Sequence, residues 1–316
     1  MRTPGRQRPV SSDFAEYLKK HRASYEALTR AQERRLANLY IDFAGKIKAE
    51  IPNILSKSLA SEKRIALNAL IREAAKLTDN FKSVLDKALL ESANLGTEAN
   101  KYIMKKYQAS LLEHNLELNT KKILFKIPDD AVRITANRIW TDGLKLSDRI
   151  WKLDKTARGQ IERVVMEAIT TGRPASDPVL TRTLEGMFNP DYTGRLTTLH
   201  GRKVSYEAAR ILRTESRIAF MEADRLSSEA NPGVQVVEWR RGAYEDCAIC
   251  DRLAAEGPYK PNEIPIHSHP NCMCYLEPVA EDIKAFTDRY LKFMDNPASQ
   301  PDLAEWMDSY GRKMAA

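Results

Sequence analysis

The sequence predicts a mainly α protein: long amino-terminal helices, then a helical domain with a small, cysteine-stapled β/loop subdomain towards the carboxyl end. Three observations carry this. Apolar residues recur at helical spacing through the first part of the chain. All four cysteines fall between residues 247 and 274, in a proline-rich stretch. The best strand pattern, "VQVVEWR" (Val234–Arg240), immediately precedes them.

The first dozen residues read as a flexible tail. A helix follows from Asp13, with Asp13 and Glu16 in the offset of a capping box. Phe14, Leu18, Tyr25, Leu28, Leu36, Phe43, Ile47 and Ile51 form its apolar series, and Pro52 is expected to interrupt it. A second block runs from Ser61 to Leu95 with Gly96 as its stop, and a third from Thr97 to Leu118. Each has a charged face and a Leu, Ile and Phe face. After Pro128 the helices shorten. One spans Asp129 to Trp140 and stops near Asp142-Gly143. Ser147 looks like the N-cap of a long helix closed by Gly172 and Pro174. Asp177-Pro178 opens a short helix, and Ser205 to Glu229 forms another long one, closed by Asn231-Pro232-Gly233. From the strand to Cys274 the chain reads as turns, and Glu281 to Met294 returns to helix before a tail around Trp306. The expected divisions are 1–127, a basic long-helix region; 128–280, the domain holding the cysteines; and 281–316, a helix and tail.

The chain has 316 residues and 43% apolar content, enough for real cores. No window approaches the run of about 18 apolar residues that spans a membrane. The basic "MRTPGRQRPVSS" lacks the apolar stretch of a secretory signal. A reducing cytosol is the expected setting, where clustered thiols tend to bind metal rather than pair. Residues 1–130 hold 24 Lys and Arg against 16 Asp and Glu, and residues 131–316 hold 26 against 27. The basic excess in the first part suits contact with a polyanion, although a solvated, lysine-rich surface gives the same count.

Six candidate ligands cluster: Cys247 and Cys250 in "CAIC", and His267, His269, Cys272 and Cys274 in "HSHPNCMC". Cys-x-x-Cys is a chelating spacing, and His269 and Cys272 form a second pair able to close on the same ion. Cys272 and Cys274 point the same way from an extended segment, so either completes the set. The chemistry indicated is structural zinc, since abundant thiolate favours a closed site over catalysis. Reduced, non-ligating thiols and a pair of disulfides are the competing readings. Enzymatic signatures fail one by one. The deaminase pattern is absent, because Asp246 precedes Cys247 and Gly201-Arg202 follow His200. There is no His-Glu-x-x-His, Gly-x-Ser-x-Gly or phosphate-binding Gly-x-x-x-x-Gly-Lys-Ser/Thr. The enzymatic rival is a His-Asn-His-type nuclease, with a histidine such as His267 activating water beside a second metal. The expectation is that the protein is not an enzyme.

"RTESRIAFMEADR" (Arg213–Arg225), the strand with Trp239, "DCAIC" (Asp246–Cys250) and "HPNCMC" (His269–Cys274) together resemble the phage Mu F-like head morphogenesis family. The resemblance covers about residues 130–280. Met273 stands where that family commonly has Arg. It implies a minor head protein of a tailed double-stranded DNA phage or prophage. Such a protein sits inside the virion head, assembles in the host cytoplasm, and meets the portal, capsid or scaffold proteins and packaged DNA. Arg213 and Glu215 read as locally paired, solvated helix charges, and Trp239 as packing for the cysteine loops.

Overall fold

The computed structural model describes residues 12–118, 121–140, 142–174, 177–192, 203–242, 247–265 and 269–311. The mainly α class holds. Among the described residues nine α-helices accompany one two-stranded antiparallel sheet. No described helix is long and apolar enough to cross a membrane.

Helix α1 spans Ser12–Ser56 and α2 Ala60–Leu112. Both outrun their expected ends. Pro52 sits inside α1, close to its end, where its fixed φ suits the helix and only one backbone bond is lost. Gly96 does not stop α2. The helix runs through it because α6 approaches too closely for any side chain there. Asp13, expected at the helix cap, lies inside α1, which already includes Ser12; Glu16 pairs with Lys20, and the Asp13 carboxylate accepts the Ile283 N–H at 3.1 Å. Helix α3 (Lys121–Asn137) contains Pro128, so the division expected at 127/128 falls inside a helix. Helix α4 (Leu146–Thr170) starts after Lys145 rather than at Ser147, and Asp148 accepts the Lys145 N–H at 2.9 Å. Gly172, in the left-handed region at φ 65°, follows its end as expected. Asp177 caps α5 (Pro178–Phe188) by accepting the Val179 N–H at 2.8 Å. Helix α6 is Val204–Glu229.

The chain gathers into two compact units that interleave along the sequence. One comprises residues 29–88 and 136–213. Its core joins Leu36, Tyr40, Phe43, Ile47, Ile51 and Ile54 of α1 to Leu70, Leu77 and Phe81 of α2, Ile161 and Val165 of α4, and Phe188 of α5. The α1 series keeps the i, i+3/i+4 spacing that puts one face inward. Each such side chain contributes about 1.5–3 kcal/mol on burial. Phe43 meets Phe188 edge-on at 5.0 Å.

The other unit comprises residues 1–28, 89–135 and 214–316. Phe14 packs edge-on against Tyr107 of α2 at 5.8 Å, and Tyr107 stacks on Phe286 at 3.9 Å. The Tyr107 hydroxyl donates to the Glu281 carbonyl at 2.6 Å. A buried polar cluster links α2 to α6: Asn100 Nδ2 donates to Asp224 Oδ1 at 3.2 Å and to Ser227 Oγ at 3.0 Å. Asn231 Nδ2 returns a bond to Asn100 Oδ1 at 2.9 Å. Strand β1 (Val234–Arg240) matches expectation and pairs with β2 (Tyr275–Ala280), Trp239 opposite Leu276 and Arg240 opposite Tyr275. The stretch between them holds a helix that the turn residues hid, α7 (Ala248–Glu256). After β2 come α8 (Ile283–Asp295), whose N-cap Asp282 accepts the Ala285 N–H at 2.8 Å, and α9 (Pro301–Trp306). Trp306 Nε1 ties the chain end to the Ala230 carbonyl at 3.0 Å.

Candidate metal centre

Two backbone devices assemble the cysteines. Cys247 is the N-cap of α7 and Cys250 lies in its first turn, so a helix start aims the pair. The second device is the loop from His269 to Cys274 that enters β2. Asn271 adopts the left-handed region at φ 64°, which an Asn tolerates better than most residues. The turn closes with Cys272 N–H donating to the His269 carbonyl at 3.4 Å.

Helix α6 clamps this loop from one face. The Asn271 N–H donates to Thr214 Oγ1 at 3.1 Å, and one turn further on Arg217 Nε donates to the Cys274 carbonyl at 3.0 Å. On the β1 side, a β-carbon on Gly242 would lie 2.2 Å from the Met273 carbonyl oxygen, so only glycine permits this approach.

The ligand atoms converge. Cys247 Sγ and Cys250 Sγ lie 3.0 and 3.2 Å from His269 Nε2, and Cys250 Sγ lies 3.5 Å from Cys272 Sγ. They form two triads, Cys247–Cys250–His269 and Cys250–Cys272–Cys274, each with ligand atoms within 4.8 Å of one another and both sharing Cys250. Among the described residues no other group of three metal-ligating side chains comes so close. None of the four cysteines forms a disulfide, and Cys250, Cys272 and Cys274 are buried and Cys247 half-buried. These five residues can hold a metal ion. His267 lies outside the described residues.

The histidine is prepared for ligation. His269 Nδ1 lies 2.8 Å from the Pro270 carbonyl, which can only accept, so Nδ1 carries the proton and the Nε2 lone pair faces the thiols. Burial pushes the Cys250 thiol up to about 12. Cys274 is pushed up further, chiefly by its hydrogen bond with Cys272 and then by burial. Thiols held protonated this way become ligands when a cation supplies the missing positive charge.

Arg213, read as a solvated charge, pairs with Glu33, and Glu215 is 1% exposed. Trp239 is buried, as its packing role requires, with the Arg217 guanidinium 5.3 Å above its ring. Sequence reasoning passed over Thr214 and Arg217. Their one signal was a position one turn apart on the face of "RTESR" that meets the loop. The chain matches no known family model, curated protein or solved structure.

Proposed function

We propose that the chain is a minor head protein of a tailed double-stranded DNA phage or prophage, acting in head morphogenesis near the portal, with the Cys/His cluster as a closed structural zinc site. The observation that carries this reading is a convergence. Three of the four stretches on which the resemblance to Mu F-like proteins rests, Arg213–Arg225, Asp246–Cys250 and His269–Cys274, are separated in sequence, yet residues of all three meet. Thr214 and Arg217 of the first bond to Asn271 and Cys274 of the third, and Cys247 and Cys250 of the second share His269 with it.

Zinc fits the donors. At Zn–S of about 2.3 Å and Zn–N of about 2.0 Å, a tetrahedron has S···S edges of about 3.8 Å and S···N edges of about 3.5 Å. The observed 3.5 Å between sulfurs and 3.0–3.2 Å from sulfur to nitrogen need only a small expansion. Cys247, Cys250 and His269 supply three ligands, and Cys272 or Cys274 the fourth. The metal's contribution is folding free energy, since a preformed site rarely exists in the unfolded chain.

Non-specific contact with packaged DNA belongs to the basic helices. Lys19, Lys20, Arg22, Arg30 and Arg34 on α1 and Lys126 on α3 are exposed, and such spaced cations follow phosphates without reading bases. The expected partners are the portal and the capsid or scaffold proteins, with the protein inside the head after assembly in the host cytoplasm.

The test is fractionation of virions and procapsids with portal co-purification, alongside elemental analysis of the purified chain. The reading requires the protein in heads and about one zinc per chain. Its absence from particles sinks the head role. Divalent-metal-dependent cleavage of plasmid DNA would instead favour the His-Asn-His-type nuclease with a structural zinc.

A further inference from the structure

We propose that Arg217 is a positioning residue for the metal centre and the buried counter-cation of its thiolates. The inference rests on reading the Cys/His cluster as a metal site and adds to it what sets the affinity. Arg217 is 2% exposed. Its Nε is spent on the Cys274 carbonyl at 3.0 Å, while Nη1 and Nη2 are buried without a hydrogen-bond partner. A guanidinium cannot shed its proton in a protein, so the charge stays. Burying it without an opposite charge is strongly unfavourable.

Three buried acids of the same unit have partners of their own. Glu222 pairs with Arg225, Glu238 with Arg240, and Asp224 is bound up in the Asn100 cluster. No ion pair to Arg217 occurs among the described residues. The Trp239 ring, 5.3 Å away, offers a cation–π contact, which offsets only part of the desolvation.

A loaded centre supplies what is lacking. A dication with three thiolates and one neutral imidazole carries a net single negative charge, and a fourth thiolate doubles it. Arg217 is fastened to the backbone carbonyl of Cys274, a member of one ligand triad, so its charge is held next to a residue of the centre. It also holds the loop at the register that presents Cys272 and Cys274 together. Metal and arginine therefore stabilise one another: the loaded centre offers negative charge to a cation that the metal-free chain buries at a loss, and the cation holds the backbone of the ligand loop in place.

The experiment uses the full chain, as purified with its zinc, in competition with a metallochromic chelator. The variants are Arg217→Met, which keeps the bulk and removes the charge, and Arg217→Lys, which keeps the charge. Arg217→Met should weaken zinc retention by about 10–100-fold, as outer-shell partners do. The melting temperature of its metal-free form should be unchanged or higher. Arg217→Lys should recover most of the affinity. Unchanged zinc affinity in Arg217→Met, or an equal loss in both variants, overturns the proposal while leaving the metal site standing. Should Arg217→Met fail to fold, Arg217→Lys decides alone: affinity near wild type supports the charge role, and a loss of about 10-fold or more refutes it. A wild-type chain that binds no zinc overturns both readings.

Discussion

A β-carbon placed on Gly96 would lie 2.2 Å from the carbonyl oxygen of Phe220, so α2 and α6 meet backbone to backbone at this point. The same β-carbon would lie 3.0 Å from Ala223 Cβ. Both obstacles belong to a packed helix and neither can swing away. Gly96→Ala should therefore destabilise the protein by about 1–3 kcal/mol, as overpacked cores do. Gly45 in α1 and Gly159 in α4 have nothing within 4 Å of that position. Alanine at either should instead add up to about 1 kcal/mol through helix propensity. Urea denaturation of the three variants checks the pair of opposite signs.

Asp224 gives a pH dependence. It is fully buried, and burial raises its carboxyl well above the ordinary range. Below about pH 3.9, the unfolded value, both states are protonated and its contribution is complete. Above that the unfolded chain ionises while the buried carboxyl stays neutral. Stability then falls by about 1.4 kcal/mol per pH unit until the raised folded value is reached. Asp224→Asn removes this slope and keeps the shape. The gap between Asp224→Asn and wild type should widen, in favour of the variant, as pH rises from 4 to 7. A gap that stays constant across that range refutes the protonated carboxyl.

Cys250 belongs to both ligand triads, whereas Cys272 and Cys274 share only one. Cys250→Ser should abolish metal retention. Cys272→Ser and Cys274→Ser should each retain part of it, because the remaining thiol takes the position. Zinc content after gel filtration distinguishes them, and a Cys250→Ser protein that keeps a full equivalent contradicts the shared-ligand geometry.

The turn at Asn271 makes a separate prediction. With φ at 64°, Asn271→Gly should be nearly neutral, while Asn271→Val should cost roughly 1–2 kcal/mol and loosen the metal. Thermal melts with and without chelator measure both parts. Equal behaviour of the two variants would mean the loop does not need this conformation.

Much of the architecture was legible because it is periodic. The apolar series from Phe14 to Ile51 named the buried face of α1, and the Asp177-Pro178 pair named a cap that the structure keeps. Five of the six candidate ligands cluster as their spacing suggested, since chelation constrains short sequence separations, and His267 lies outside the described residues. What escaped was set by partners distant in the chain. Gly96 looks like a stop until Phe220 is placed beside it, and Asp13 looks like a cap until Ile283 takes its carboxylate. Helix α7 is short and lies among prolines, so its two turns carried little periodic signal. Arg217 escaped for the opposite reason. A charged residue on a helix is usually solvated, and its spacing from Thr214 is the one local mark of the exception.

The interleaving of the two units fixes an order of events during synthesis. Residues 29–88 and 136–213 are complete once the chain has emerged past Arg213. The other unit must wait for the carboxyl end: the Tyr107–Glu281 bond joins residues 174 apart, and the Asp13–Ile283 bond residues 270 apart. Closing loops of that size costs entropy before any contact repays it, which makes the step slow. Until then Tyr25 lacks Phe220 and Tyr275, and Tyr107 lacks Phe286, on a nascent chain, the kind of exposed apolar surface that chaperones bind and that aggregates when they do not. A ribosome that stops before β2 therefore releases a chain with one finished unit and one sticky, unfinished helix end.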